Sequence, residues 1–144
     1  QKEELGRLFM NNVELKHKVG LVMSSILKEK IYISPVDVLI KMDILSVKDY
    51  ENWRFGRVPY LERVCKTNLN KLSLIMKEIK KYARQRHLKP SWTAYNQWGV
   101  KGRKIPLRFS KSGNSSIEES YATHYVVIQM ITSKESLKIR GVTR

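Results

Sequence analysis

Lys77, Lys80, Lys81 and Arg84 recur at i, i+3, i+4 and i+7, so a helix would carry all four on one face. A row of such cations can neutralise successive phosphates and release their counterions. The residues that follow, Arg86, Lys89, Trp92, Tyr95, Trp98, Lys101, Arg103, Lys104, Arg108 and Lys111, alternate cations with large π faces. Aromatic rings can stack on unpaired bases, and arginine can fork onto a phosphate. These positions form the candidate nucleic-acid-binding set, without a preference for DNA or RNA. The plainer alternative is a solvated helix face with the tryptophans in the core, since charge runs keep surfaces wet and Trp is largely buried on average.

The charge distribution favours the first reading. Residues 66–111 hold thirteen Lys or Arg and one acid, Glu78. Of the formal net charge of +15, residues 1–65 contribute +2 and residues 66–144 contribute +13. Charge concentrated in this way draws in polyanions: nucleic acid first, an acidic protein second. A membrane surface fits less well, because the basic helix has no bulky apolar residues beside its cationic face.

Catalytic candidates are sparse. His17, His87 and His124 lie far apart and show no metal-ligand spacing, and a single cysteine excludes a multi-cysteine zinc site. His124 follows Glu118 and Glu119 and precedes an apolar run. With Arg108, these groups could perform acid–base work on a phosphodiester if a cleft brought them together. The ordinary alternative is a partly buried histidine satisfied by its surroundings. Cys65 lies between Arg63 and Lys66, a setting that lowers a thiol pKa at the surface, although it also follows the apolar Leu61 and Val64 as a core residue would. Gly99-Val100-Lys101-Gly102 is too short for a phosphate-binding loop. No metal or cofactor is implied, and the balance leans away from an enzyme.

The elements that must position these residues read as mainly α (α+β), an N-terminal helical bundle with a small β element after residue 90. The spacing of Leu5, Leu8, Phe9, Val13, Val19, Val22, Ile26 and Leu27 predicts a helix over 3–29, with a kink or break at Gly20. Ile31–Ile33 is β-prone but short. Ser34-Pro35-Val36-Asp37 and Ser46-Val47-Lys48-Asp49 are helix starts. Thr67 or Asn68 caps a helix over about 69–87 whose apolar positions are Leu72, Ile75, Met76, Ile79, Tyr82 and Ala83. Beyond Pro90, residues 91–98 read as a strand or ordered loop, and Ile105–Phe109 as an edge strand carrying Pro106. Ser115 or Ser116 starts a short helix, and Tyr125–Thr132 is a strand. Residues 1–132 are expected to form one domain, with 133–144 a mobile tail.

Val36–Met42, a turn at 43–46 and Val47–Phe55 form a pair of short helices that is similar to a helix-turn-helix unit. That resemblance implies a second helix entering the DNA major groove, presenting Lys48, Asp49, Glu51, Asn52 and Arg54. Asp43 stands where a turn glycine is common, and simple packing of paired helices is the alternative. The longest apolar stretch, Tyr125–Ile128, is far too short to span a bilayer. Lone cysteine usage points to a reducing, cytoplasmic setting. The leading expectation is a non-enzymatic nucleic-acid-binding protein. Its competitors are an interaction module docking on an acidic partner, with Leu5–Ile26 as its contact stripe, and a phosphodiester-processing enzyme using His124.

Overall fold

Short polar side chains fix where the helices begin. In the computed structural model, which describes residues 11–128, Asn11 accepts from the Glu14 amide at 2.8 Å and opens α1 (Asn12–Glu29). Ser34 does the same for α2 (Pro35–Lys41), with Pro35 in the first turn where its missing N–H is harmless. Ser46 caps α3 (Val47–Arg54), and Asn68 caps α4 (Leu69–Gln85). The starts at Ser34, Ser46 and Asn68 match the sequence reading, whereas α1 opens at Asn12 where the apolar spacing predicts a helix from residue 3. The fifth differs: Asn114, not Ser115 or Ser116, caps α5 (Ser115–Ala122), its Oδ1 accepting from the Ser116 and Ile117 amides.

Leu15, Val19, Val22, Met23 and Ile26 of α1 are buried, as are Leu72, Ile75, Met76, Ile79 and Ala83 of α4. The two stripes belong to a single core cluster. From Leu15 to Ile26 the first-helix stripe is therefore interior, not an open partner-facing surface, whereas Val13 in the first turn of α1 is 78% exposed. α1 also runs unbroken through Gly20, where an added Cβ would stand 4.0 Å from the Tyr82 ring, so that glycine marks a helix contact and not a kink. α4 ends two residues earlier than its periodicity predicts, because His87 turns into the left-handed region at φ 57°.

Three antiparallel strands complete the fold: β1 (Tyr32–Ile33), β2 (Leu88–Trp92) and β3 (Thr123–Val127), in the order β1-β3-β2. The protein is thus mainly α with a small β element, as expected, but the β element also recruits the short Tyr32-Ile33 run. Pro90 lies inside β2, which its edge position tolerates. The expected strand over 105–109 is reduced to one bridge, Asn96 to Pro106, within a hairpin closed by Gln97 N–H to Ile105 O (2.8 Å) and Leu107 N–H to Tyr95 O (2.8 Å). β3 begins at Thr123, directly from α5, two residues before the expected start. Residues 1–10, the predicted strand positions 129–132 and the predicted tail 133–144 lie outside the described residues.

Candidate nucleic-acid interface

α4 sorts its side chains cleanly. Its apolar stripe is interior, and Lys77, Lys80, Lys81 and Arg84 are all exposed. The ion pairs Lys30–Asp37 (3.1 Å) and Lys41–Glu29 (3.8 Å) lie in the first half of the chain. Among the described residues, no carboxylate is within ion-pair distance of those four α4 cations. Their charge is directed outward.

α4 and α5 border a groove of two adjoining basins. The first, about 400 Å³, has Lys77, Lys80 and Ser73 from α4, Ser112, Ser116 and Ser120 from the other wall, and an apolar lining of Leu69, Met76, Ile117 and Tyr121. The second, about 380 Å³, runs past Lys80 and Arg84 to Leu88, Pro90, Thr123 and Tyr125 of the sheet. Lys80, Ser116 and Ser120 line both basins and form the neck between them. Glu119 borders the second basin. Glu62 borders the first, but its carboxylate is occupied by the Tyr121 hydroxyl (2.7 Å) and the Lys111 amide (2.8 Å).

The aromatic residues of 86–111 have divided roles. Trp92 is 67% exposed, whereas Tyr95 is only 8% exposed. Tyr95 packs against Trp53 and Phe109 and cannot offer a face to a base. Trp98 presents its edges to Tyr50 and Phe55, and the Arg54 guanidinium lies 4.6 Å from its ring centre and 5.0 Å from that of Tyr95. Trp98, 38% exposed, braces α3; Trp92 is the more outward of the two. Strand alternation puts Trp92 on the same face of β2 as Leu88 and Pro90, which line the groove, and pairs it with Thr123, which lines it as well. Lys89 falls on the opposite face.

The remaining cations are distributed similarly. Arg86 is exposed, its guanidinium 5.0 Å from the Tyr82 ring centre. Lys101, Arg103 and Lys104 are exposed on the hairpin that leans on α3, anchored by Trp98 N–H to Arg54 O at 2.7 Å. Arg108 is structural: it donates to the carbonyls of Ser110 (2.8 Å) and Lys111, with its guanidinium 5.6 Å from the Tyr60 ring centre. Lys111 is exposed, and its amide is held by Glu62.

Of the groups considered for catalysis, Glu118 and His124 find separate partners. Glu118 accepts from the Phe109 amide (3.0 Å), the Ser110 amide (2.6 Å) and the Ser110 hydroxyl, which fixes the 108–111 loop. His124 Nε2 shares a 2.8 Å hydrogen bond with the Tyr95 hydroxyl, and its ring stacks on Tyr32 at 5.4 Å. Burial lowers its pKa below the usual histidine value; Asp37 opposes that shift and Lys30 adds to it. Glu119 is exposed on the groove side. The geometry gives these residues no common partner, and the partly buried, satisfied histidine describes His124. Cys65 likewise takes its plainer reading: burial pushes its thiol up to about 12, and its Sγ lies 3.5 Å from the Leu61 carbonyl.

The paired helices α2 and α3 fare no better as a DNA reader. Asp43 supplies the left-handed turn at φ 60°, and Ile44 and Leu45 plug the core as expected. On α3, however, Trp53 is fully buried, Arg54 is held among rings, and Asn52 accepts from Arg57 at 3.0 Å. Of the five positions the resemblance would present, Lys48, Asp49 and Glu51 remain, two of them acids that phosphates would repel.

Sequence reasoning missed Glu62, Ser110 and Tyr121, which with Glu118 immobilise the loop behind the groove. It also missed the serines at 73, 112, 116 and 120, whose convergence depends on how α5 docks. Searches of protein-family models, of curated proteins and of solved structures found no match to this chain.

Proposed function

We propose that this protein binds nucleic acid through the cationic face of α4 and the groove beside it. The observation that carries this reading is the row Lys77, Lys80, Lys81 and Arg84: exposed, on one face, and without ion-pair partners among the described residues. From Lys77 to Arg84 the helix rises about 10 Å, enough to accompany two or three phosphates. Like charges at this spacing disfavour the isolated helix by a few tenths of a kcal/mol per pair, so stability alone gives no reason to cluster them. Arg86, and Trp92 as a stacking surface, extend the contact; the groups at 101–104 add a second cationic area. The role is binding and not turnover, in keeping with the separate partners of His124, Glu118 and Arg108.

The test is a titration against single- and double-stranded DNA and RNA across salt concentrations. Each phosphate contact contributes about 0.7 to 0.9 to the slope of log affinity against log salt. Replacing Lys80, Lys81 and Arg84 together with Gln is expected to flatten the slope by roughly two. Unchanged affinity and slope would dispose of the proposal.

A further inference from the structure

The groove between α4 and α5 is built unevenly: cations along one wall, hydroxyls along the other, and apolar surface between. Resting on the nucleic-acid reading above, we infer that this groove selects single strands over duplex, with one phosphate at the neck and a base in each flanking basin. Three observations lead there. The first is size. Basins of about 400 and 380 Å³ are in the range of small-ligand pockets and accept an unstacked nucleoside, whereas a duplex would rest on the rim.

The second observation is chemistry. The neck gathers the Lys80 ammonium with the Ser116 hydroxyl, one cation and one donor for a phosphodiester, while the Ser120 hydroxyl beside them donates to the Ser116 carbonyl at 3.0 Å. On either side the lining turns apolar: Leu69 and Ile117, 50% and 40% exposed, in one basin, and Pro90 and Tyr125 in the other. Unpaired bases have π faces to lay on such surfaces, while in a duplex those faces are hidden by stacking. Glu119 at the second basin would repel a phosphate but can accept from a base N–H such as that of thymine N3, which fits a base there and not the backbone.

The third observation is Trp92. It stands exposed on the groove face of β2, paired with Thr123 at the end of the second basin, where a base leaving the groove would meet it. Aromatic platforms beside a cationic track suit a flexible strand whose bases can turn inward.

Plugging the neck separates this inference from the reading it rests on. Ser116→Trp places an indole at the neck that both basins share without altering charge, and the Ser116 amide keeps its Asn114 acceptor whatever the side chain. With a labelled oligothymidylate and a duplex of matched phosphate count as probes, the substitution is expected to weaken single-strand binding roughly tenfold or more and leave duplex binding unchanged. Trp92→Ala, at an exposed position, should weaken single-strand binding about tenfold with the same selectivity, whether or not the Ser116 variant folds. Lys81→Gln, outside the groove lining, should weaken both probes alike. Equal effects of Ser116→Trp and Trp92→Ala on both probes, or on neither, would overturn the groove assignment while leaving the cationic face intact. Failure of both probes to bind the native protein would remove the underlying reading instead. Polyglutamate competing with oligothymidylate, with the same loss on plugging the neck, would assign the groove to an acidic protein and overturn the inference.

Discussion

The loop at 108–111 and the cationic face of α4 are handled in opposite ways by the same chain. In the loop, three consecutive amides, Phe109, Ser110 and Lys111, are each met by a carboxylate oxygen of Glu118 or Glu62. The Arg108 carbonyl takes the indole N–H of buried Trp53 at 2.8 Å, and its guanidinium closes back on the loop. On α4, Lys77, Lys80, Lys81 and Arg84 have no carboxylate within ion-pair distance among the described residues, and Lys77, Lys80 and Arg84 line an open groove. Buried polar groups are satisfied where stability depends on them, because an unmet one is expensive. The contrast teaches that Glu118, an acid of the basic half, does not serve as counter-charge to that face. Glu118 is committed to backbone amides, and the α4 face is left unneutralised.

The widest gap between the two regions should come from the loop. Glu118→Ala leaves the Phe109 and Ser110 amides without their acceptor next to two buried residues, a loss of about 3 kcal/mol. Thermal unfolding should fall by roughly 10 °C. A variant as stable as the native protein would break the comparison at its stronger end. A smaller effect, confined to acid solution, belongs to His124. Its folded pKa is depressed by burial, so the unfolded chain takes up the proton first as pH falls. That contribution to stability is intact above the ordinary histidine value of about 6.5 and is lost below it. His124→Gln should therefore show a shallower decline in denaturation midpoint between neutral and mildly acidic buffer. The smallest change is expected on α4: replacing Lys80, Lys81 and Arg84 with Gln should move stability by no more than about 0.5 kcal/mol in chemical denaturation, and upward if at all. A marked destabilisation would mean that these side chains serve the fold after all.

Local signals were readable in the chain, and distant pairings were not. The caps Ser34, Ser46 and Asn68 act on amides three residues away, so their effect is written within one turn. The α4 face follows from the helical period alone. By contrast, Tyr32-Ile33 became a strand only through Val126 and Tyr125, more than ninety residues on. Tyr95 and Trp98 look like stacking rings in sequence, but Tyr95 turns inward against Trp53 and Phe109, and Trp98, still 38% exposed, is held against Tyr50, Phe55 and the Arg54 guanidinium. Trp92 shows no difference from them in its neighbours along the chain; only strand register sets it on the groove face. Glu62 reaches Lys111 across forty-nine positions, a contact with no local trace.

The strand order carries a consequence for how the chain matures. Because β3 lies between β1 and β2, neither edge strand has a neighbour until Thr123–Val127 arrives. During synthesis the helices at the front can condense early, but the sheet must wait for its keystone. A chain cut before Thr123 would carry two orphaned edges, a state prone to sticking to others of its kind.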